Sequence, residues 1–144
     1  MNKIISIDPG RFKCGLVLAD LEKKEIIEAI VVSSTSLVEN IKMLLNEYKE
    51  IKVIMGNGTT SREHQQSLKF LGKNLIIFEE KSTTFRSKYR YFELFPLRGF
   101  RRFFPSDLFI LDINLDAIAA LVILEDYLNF KFESFPLQSK TWKK

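Results

Sequence analysis

Residues 3–20, KIISIDPGRFKCGLVLAD, contain the pattern that decides the fold. An isoleucine-rich run ends at Asp8, a turn at Pro9 and Gly10 follows, and residues 14–19 form a second apolar run. Short apolar runs bounded by proline and glycine are typical of buried strands joined by a turn. The stretch therefore predicts two neighbouring strands, over residues 3–8 and 14–19, with an acidic side chain at the end of the first.

The rest of the chain alternates between strand-like and helix-like segments. Three further strands are predicted over residues 25–32, 51–55 and 75–78. Apolar residues at helical spacing predict helices over residues 36–49, 60–71, 82–95 and 115–128. Ser36 with Glu39, and Thr60 with Glu63, have the capping-box spacing at the first two helix starts. Three antiparallel strands followed by alternating helices and strands predict an α/β fold with a sheet of mixed direction.

Length and composition favour a single intracellular domain. The chain has 144 residues, 46% of them hydrophobic, which suits one domain over residues 1–130 followed by a tail over 131–144. The single cysteine, Cys14, excludes an internal disulfide. The longest wholly apolar run, residues 117–124, is shorter than the roughly 20 residues of a membrane span. We therefore expect a cytoplasmic protein without a membrane partner.

Positive charge is concentrated in one part of the chain. Residues 81–104 contain seven basic residues and one acidic residue, interleaved with aromatic side chains. Such clustering indicates a surface that binds nucleic acid. We interpret Phe85, Tyr89 and Phe92 as core residues and leave the aromatic residues of 95–104 open between core and base stacking. The candidate nucleic-acid contacts are Arg11, Lys81, Arg86, Arg90, Arg98, Arg101 and Arg102.

Three acidic residues stand at places where a site would form. Asp8 ends the first predicted strand, Glu80 follows the fifth, and Asp116 lies at the predicted start of the last helix. If the strand ends meet at one edge of the sheet, their carboxylates repel one another unless a cation lies between them. Oxygen ligands suit Mg²⁺ or Mn²⁺, and two such ions about 4 Å apart stabilise both oxygens of a phosphodiester displacement. A turn residue, a solvated strand end and a helix cap are the structural alternatives.

Other polar residues give weaker signals. Residues 56–60, GNGTT, precede a helix and fit either a phosphate-binding loop or a tight turn. We expect His64 to be a surface residue, because its neighbours in the chain are polar. We expect Cys14 to be a small buried residue on a strand, since the sequence indicates no histidine partner for it.

The motifs together resemble the YqgF-type Holliday-junction resolvase family, which is RuvC-like and belongs to the ribonuclease H-like superfamily. Residues 7–20 are similar to the family's opening pattern DPG(R/K)…GLA…D, and residues 79–84, EEKSTT, resemble its DE(R/K)xTT motif. Residues 116–128 resemble its closing helix, and residues 95–102 resemble a PPRG.RR insertion of one bacterial branch. The likeness covers roughly residues 3–128.

The resemblance implies a ribonuclease H-like fold: a five-stranded sheet whose first three strands are antiparallel, with helices on both faces. It implies catalytic, metal-binding carboxylates at Asp8, Glu80 and Asp116, with two Mg²⁺ or Mn²⁺ ions. Glu79 stands where the family has aspartate, and a fourth supporting acid is not obvious.

These observations predict a two-metal-ion endonuclease acting on Holliday-junction DNA or precursor ribosomal RNA. A homodimer is expected if the substrate is a four-way junction, because an even cut needs two symmetric sites. The alternative is a non-catalytic nucleic-acid-binding module that keeps the fold and the basic segment. A kinase-like phosphotransferase is disfavoured, because the chain is short for a two-lobed architecture.

Overall fold

The computed structural model describes residues 2–79, 83–96, 112–136 and 142–143. Its strands are β1 (Lys3–Asp8), β2 (Lys13–Asp20), β3 (Glu25–Ser33), β4 (Lys52–Gly56), β5 (Leu75–Phe78) and β6 (Trp142–Lys143). Its helices are α1 (Leu37–Glu47), α2 (Ser61–Ser67), α3 (Thr83–Leu94) and α4 (Asp112–Leu128). None of the helices in these ranges is long and apolar enough to cross a membrane.

The strands form one mixed sheet in the order β5-β4-β1-β2-β3-β6. β1, β2 and β3 are joined by antiparallel pairing, whereas β1 with β4 and β4 with β5 are parallel. The α/β class, the five predicted strands and the antiparallel start are confirmed. The two-residue β6 pairs with β3 and extends the sheet by one short strand.

One face of the sheet is covered by α1 and by the segment around α2. Ile5, Ile7 and Leu16 point to this face and pack in one buried cluster with Leu37 and Ile41 of α1. Leu68 and Leu71, which follow α2, belong to the same cluster. Each such side chain contributes about 1.5–3 kcal/mol by leaving water.

The opposite face is covered by α4, which α3 covers in turn. Ile4 and Val17 of the sheet pack against Leu121 of α4, while Ile118 and Val122 on the outer side of α4 pack against α3. Because α4 is enclosed from two sides, its apolar run 117–124 needs no polar face. Helices on both faces of the sheet are therefore confirmed.

Three local predictions about the helices were wrong. Neither Ser36 nor Thr60 makes a side-chain capping hydrogen bond; the Ser36 hydroxyl donates to the Ser33 carbonyl instead. α2 ends at Ser67, and the chain continues as a 3₁₀ segment, Lys69–Asn74, with Gly72 at φ 57°. α4 begins at Asp112, so Asp116 lies in its second turn rather than at its start.

Beyond α4 the described chain returns to the core. Phe132 is buried in the same cluster as Leu121, and Phe130 and Phe135 pack against that cluster. The apolar core of this face therefore includes a residue past position 130, the predicted end of the domain.

Candidate active site

The carboxyl ends of β1, β4 and β5 lie at one edge of the sheet, called here the acidic edge. Ile7 of β1 pairs with Met55 of β4, and Gly56, the next residue of β4, pairs with Phe78 of β5. Asp8 thus ends β1 at the level where Phe78 ends β5. Because neighbouring strands lie about 4.8 Å apart, the two strand ends are separated by roughly 10 Å.

Asp8 and Asp116 approach each other on the α4 face of the sheet. The hydroxyl of Ser6 donates a hydrogen bond to the Ala120 carbonyl of α4 at 2.7 Å, so this part of β1 faces α4. Side chains two residues apart on a strand share a face, which puts Asp8 on the same face as Ser6. Asp116 lies one helical turn before Ala120, at the corresponding level of α4.

Gly15 fixes this approach, because β2 and α4 touch there through their backbones. Gly15 is the pairing partner of Asp8 in β2. A Cβ atom at Gly15 would lie only 1.8 Å from the Asp116 carbonyl oxygen, so no larger residue fits without a shift. The structure therefore places two of the three predicted acidic residues, Asp8 and Asp116, on the same face at the acidic edge.

Asp116 forms an ion pair that the sequence did not indicate. Lys13 Nζ lies 3.0 Å from Asp116 Oδ2. Although this oxygen is buried, it accepts no hydrogen bond of good geometry from the described residues, so the contact with Lys13 is one of charge. An under-coordinated carboxylate oxygen suits a divalent cation. The position of Asp116 in the second turn removes the benefit of the helix dipole, which is confined to the first.

The third predicted acid is outside the described residues. This applies to Glu80 and also to Lys81, Arg98, Arg101 and Arg102. Glu79, the last described residue before them, is exposed directly after β5. Among residues 2–79, 83–96 and 112–136, no three histidine, cysteine, aspartate or glutamate side chains are arranged to hold a metal.

Two of the predicted nucleic-acid contacts are engaged between α3 and α4. Arg90 is buried and donates through Nε and Nη2 to the carboxylate of Glu125, at 2.9 and 2.8 Å, and also to the Phe132 carbonyl. Arg86 is paired with Asp126, and this pairing raises the pKa of its guanidinium. Arg90 is therefore buried within the fold, whereas Arg11 is exposed at the acidic edge.

The aromatic residues of α3 do not all face the core. The interpretation of Phe85 and Tyr89 as core residues was wrong, because they are 76% and 68% exposed. Phe92 is half-buried and packs near Tyr91 and Phe95, which form part of the contact with α4.

The turn after Asp8 is held by three side chains that come from outside it. The Gly10 carbonyl accepts hydrogen bonds from His64 Nε2 and from the Ser34 hydroxyl, each at 2.8 Å. The Pro9 carbonyl accepts one from the Thr60 hydroxyl at 3.2 Å. Loop 56–60 fitted either a phosphate-binding loop or a tight turn in the sequence. In the structure it helps, through Thr60, to hold the backbone that follows Asp8.

His64 was missed by the sequence analysis. The expectation of a surface residue was wrong, because its side chain is only 8% exposed. Its Nε2 also lies 3.6 Å from Cys14 Sγ, so the buried cysteine has a histidine neighbour after all. The contact with Cys14, aided by the Gly10 carbonyl and opposed by burial, raises the pKa of His64 to about 9. Its contact partners, Cys14 and Gly10, lie 50 and 54 positions away in the chain, so the neighbouring sequence gave no signal of them.

No protein-family model matches this chain, and no curated protein matches its sequence.

Proposed function

We propose that this chain is a metal-dependent endonuclease with a ribonuclease H-like fold, similar to the YqgF and RuvC resolvase families. Its substrate class would be branched DNA or structured RNA. The observation that carries the proposal is the approach of Asp8 and Asp116 at the acidic edge, with Asp116 Oδ2 under-coordinated. The mixed sheet supports it, because its first three strands pair antiparallel and the resemblance implies a five-stranded sheet that begins in this way.

Each residue of the acidic edge would have a different role in binding metal or substrate. Asp8 and Asp116, with Glu80 after β5, would hold Mg²⁺ or Mn²⁺, and the ions would supply charge stabilisation to both oxygens of the displacement. Lys13 offsets the charge of Asp116 and limits its repulsion with Asp8. Arg11, exposed on the adjoining turn, would contact a substrate phosphate.

The Asp8→Asn variant tests the proposal. Cleavage of a four-way DNA junction and of precursor ribosomal RNA is measured with Mn²⁺. We expect a loss of at least about 100-fold, because the amide keeps the shape of the side chain but removes a charged ligand. Glu22→Gln is the matched control: it makes the same carboxylate-to-amide change, but at an exposed residue in the turn at the opposite end of the sheet. Undiminished cleavage by Asp8→Asn would refute the assignment.

A second candidate is a nucleic-acid-binding module without catalysis. The Lys13–Asp116 ion pair favours it, since an ammonium group already supplies positive charge where a metal would bind. Calorimetric titration with Mn²⁺ separates the two. Metal binding that Asp8→Asn weakens supports the nuclease, whereas salt-sensitive nucleic-acid binding without metal binding supports the module.

A further inference from the structure

The turn between β1 and β2 exposes an aromatic ring beside a cation. Phe12 is 75% exposed, and the guanidinium carbon of Arg11 lies 5.3 Å from the centre of its ring. Single exposed apolar residues are common on protein surfaces. The exposure of Phe12 therefore indicates a binding site only if the turn is ordered and lies close to the acidic edge.

The backbone that carries this ring is fixed at several points. The Phe12 carbonyl accepts a hydrogen bond from the Ser34 amide at 2.9 Å, and the Gly10 carbonyl is held by Ser34 and His64. Gly10 is itself confined, because a Cβ atom there would lie 2.0 Å from the Lys13 carbonyl oxygen. The ring is thus presented on an ordered turn, so a ligand that stacks on it loses little free energy to ordering the protein.

The turn adjoins the acidic edge. Phe12 lies three residues before Gly15, the pairing partner of Asp8, which corresponds to about 10 Å along a strand. The next residue, Lys13, reaches Asp116. A nucleic acid with a phosphate at the acidic edge therefore has a neighbouring nucleotide within reach of the turn.

We propose that Arg11 and Phe12 form a nucleotide-binding tip: Phe12 stacks on an unpaired base and Arg11 contacts a phosphate next to it. The inference rests on the proposed function and specifies its substrate as nucleic acid with unpaired nucleotides beside the cleaved bond. A ring can stack on any base whose face is open, whereas both faces of a base inside a duplex are covered by its neighbours. The tip therefore distinguishes unpaired from paired substrate without reading sequence.

The chain contains a matched control for this pair. Phe70 is 49% exposed and lies under Lys42, whose Nζ is 5.2 Å from the ring centre. It belongs to the 3₁₀ segment after α2, not to the turn that joins β1 to β2. Phe70→Ala therefore removes an exposed ring and a cation–ring contact without touching the tip.

The test compares binding of two kinds of fluorescent hairpin whose stems are closed by a non-nucleotide linker: one kind is fully paired, and the other contains three unpaired nucleotides within its stem. Each hairpin is made as DNA and as RNA, and Ca²⁺ replaces Mn²⁺ so that binding is measured by anisotropy without turnover. We expect Phe12→Ala to weaken binding of the unpaired hairpins by about 10-fold and to leave the paired ones unchanged. Phe12→Trp should restore the preference, and Phe70→Ala should preserve it.

The outcomes separate this inference from the proposed function. Equal affinities of Phe12→Ala and the unchanged protein for unpaired hairpins, or an equal loss on both kinds of hairpin, would overturn the stacking role alone. Absence of binding to every hairpin would overturn the nuclease proposal as well. The DNA and RNA arms show which nucleic acid the tip prefers. An unchanged melting temperature of Phe12→Ala, expected for an exposed side chain, confirms that the variant is folded.

Discussion

At the residue scale, His64 links the stability of the fold to pH. Its pKa is raised from the ordinary 6.5 to about 9, by Cys14 and by the Gly10 carbonyl. A raised pKa stabilises the folded state fully below pH 6.5, and this contribution is lost as pH rises through 9. The hydrogen bond to Gly10 ties the titration to the turn that follows Asp8.

We expect the free energy of unfolding to fall by on the order of 2 kcal/mol between pH 6.5 and 9, and His64→Gln to lack this fall. Glutamine keeps a donor but does not titrate. Urea denaturation of both proteins across this range measures the difference. If the two curves run parallel, the titrating group is not His64.

At the element scale, the contact between β2 and α4 depends on Gly15. An alanine there would place its Cβ 1.8 Å from the backbone oxygen of Asp116, and neither backbone can move aside without disturbing the sheet or the helix. We expect Gly15→Ala to cost about 3 kcal/mol and to reduce cleavage, since it separates Asp116 from Asp8. Denaturation and activity assays measure the two effects.

Gly72→Ala is the comparison for this variant. Gly72 has φ 57° but nothing within 4 Å of the added Cβ, so only backbone strain opposes the change. The expected cost is about 2 kcal/mol, with cleavage retained. A loss at Gly15 no larger than that at Gly72 would contradict the steric explanation.

α3 shows why an amphipathic pattern did not identify the buried face of this helix. Phe85, Tyr89 and Phe92 recur at helical spacing, but Ser87 and Tyr91 define a second face, and that face is buried against α4. Arg90 joins the buried face because Glu125 provides its counter-charge. The sequence does not indicate the pairing, since the partners lie 35 positions apart.

At the scale of the whole molecule, α3 is an outer layer. Within the described residues α3 packs mainly against α4, which lies between it and the sheet. Arg90 joins α3 to the Glu125 carboxylate and to the Phe132 carbonyl. Arg90→Met leaves the buried carboxylate of Glu125 without its cation, which costs about 3 kcal/mol or more.

We expect amide hydrogens of α3 to exchange at least about 10-fold faster in Arg90→Met, while those of β1 and β4 are less affected. Hydrogen exchange followed by mass spectrometry measures this. Adding Glu125→Gln, which removes the unpaired charge, should slow the exchange again. Uniform acceleration over all elements would show that the anchor acts on the whole fold rather than on α3.

Local patterns predicted the architecture, and contacts between distant segments decided the rest. The runs of β1 to β5 and the turn at Pro9 and Gly10 are local signals, so the α/β class and the mixed sheet followed from the sequence. The burial of His64 depends on a carbonyl 54 positions away, and the Lys13–Asp116 pair depends on α4 lying across β2. Neither contact leaves a trace in nearby sequence.

The ammonium group of Lys13 also bears on how folding would relate to binding of the proposed metal. Folding brings Asp8 and Asp116 together, and Lys13 offsets the negative charge of Asp116 from within the chain. In small zinc domains the metal supplies folding free energy, and chelators unfold them. Here the counter-ion is covalently part of the polypeptide, so the charge of Asp116 is offset without the metal ion that we propose for this site. If a divalent ion binds here as proposed, a chelator should remove it and leave the native conformation intact.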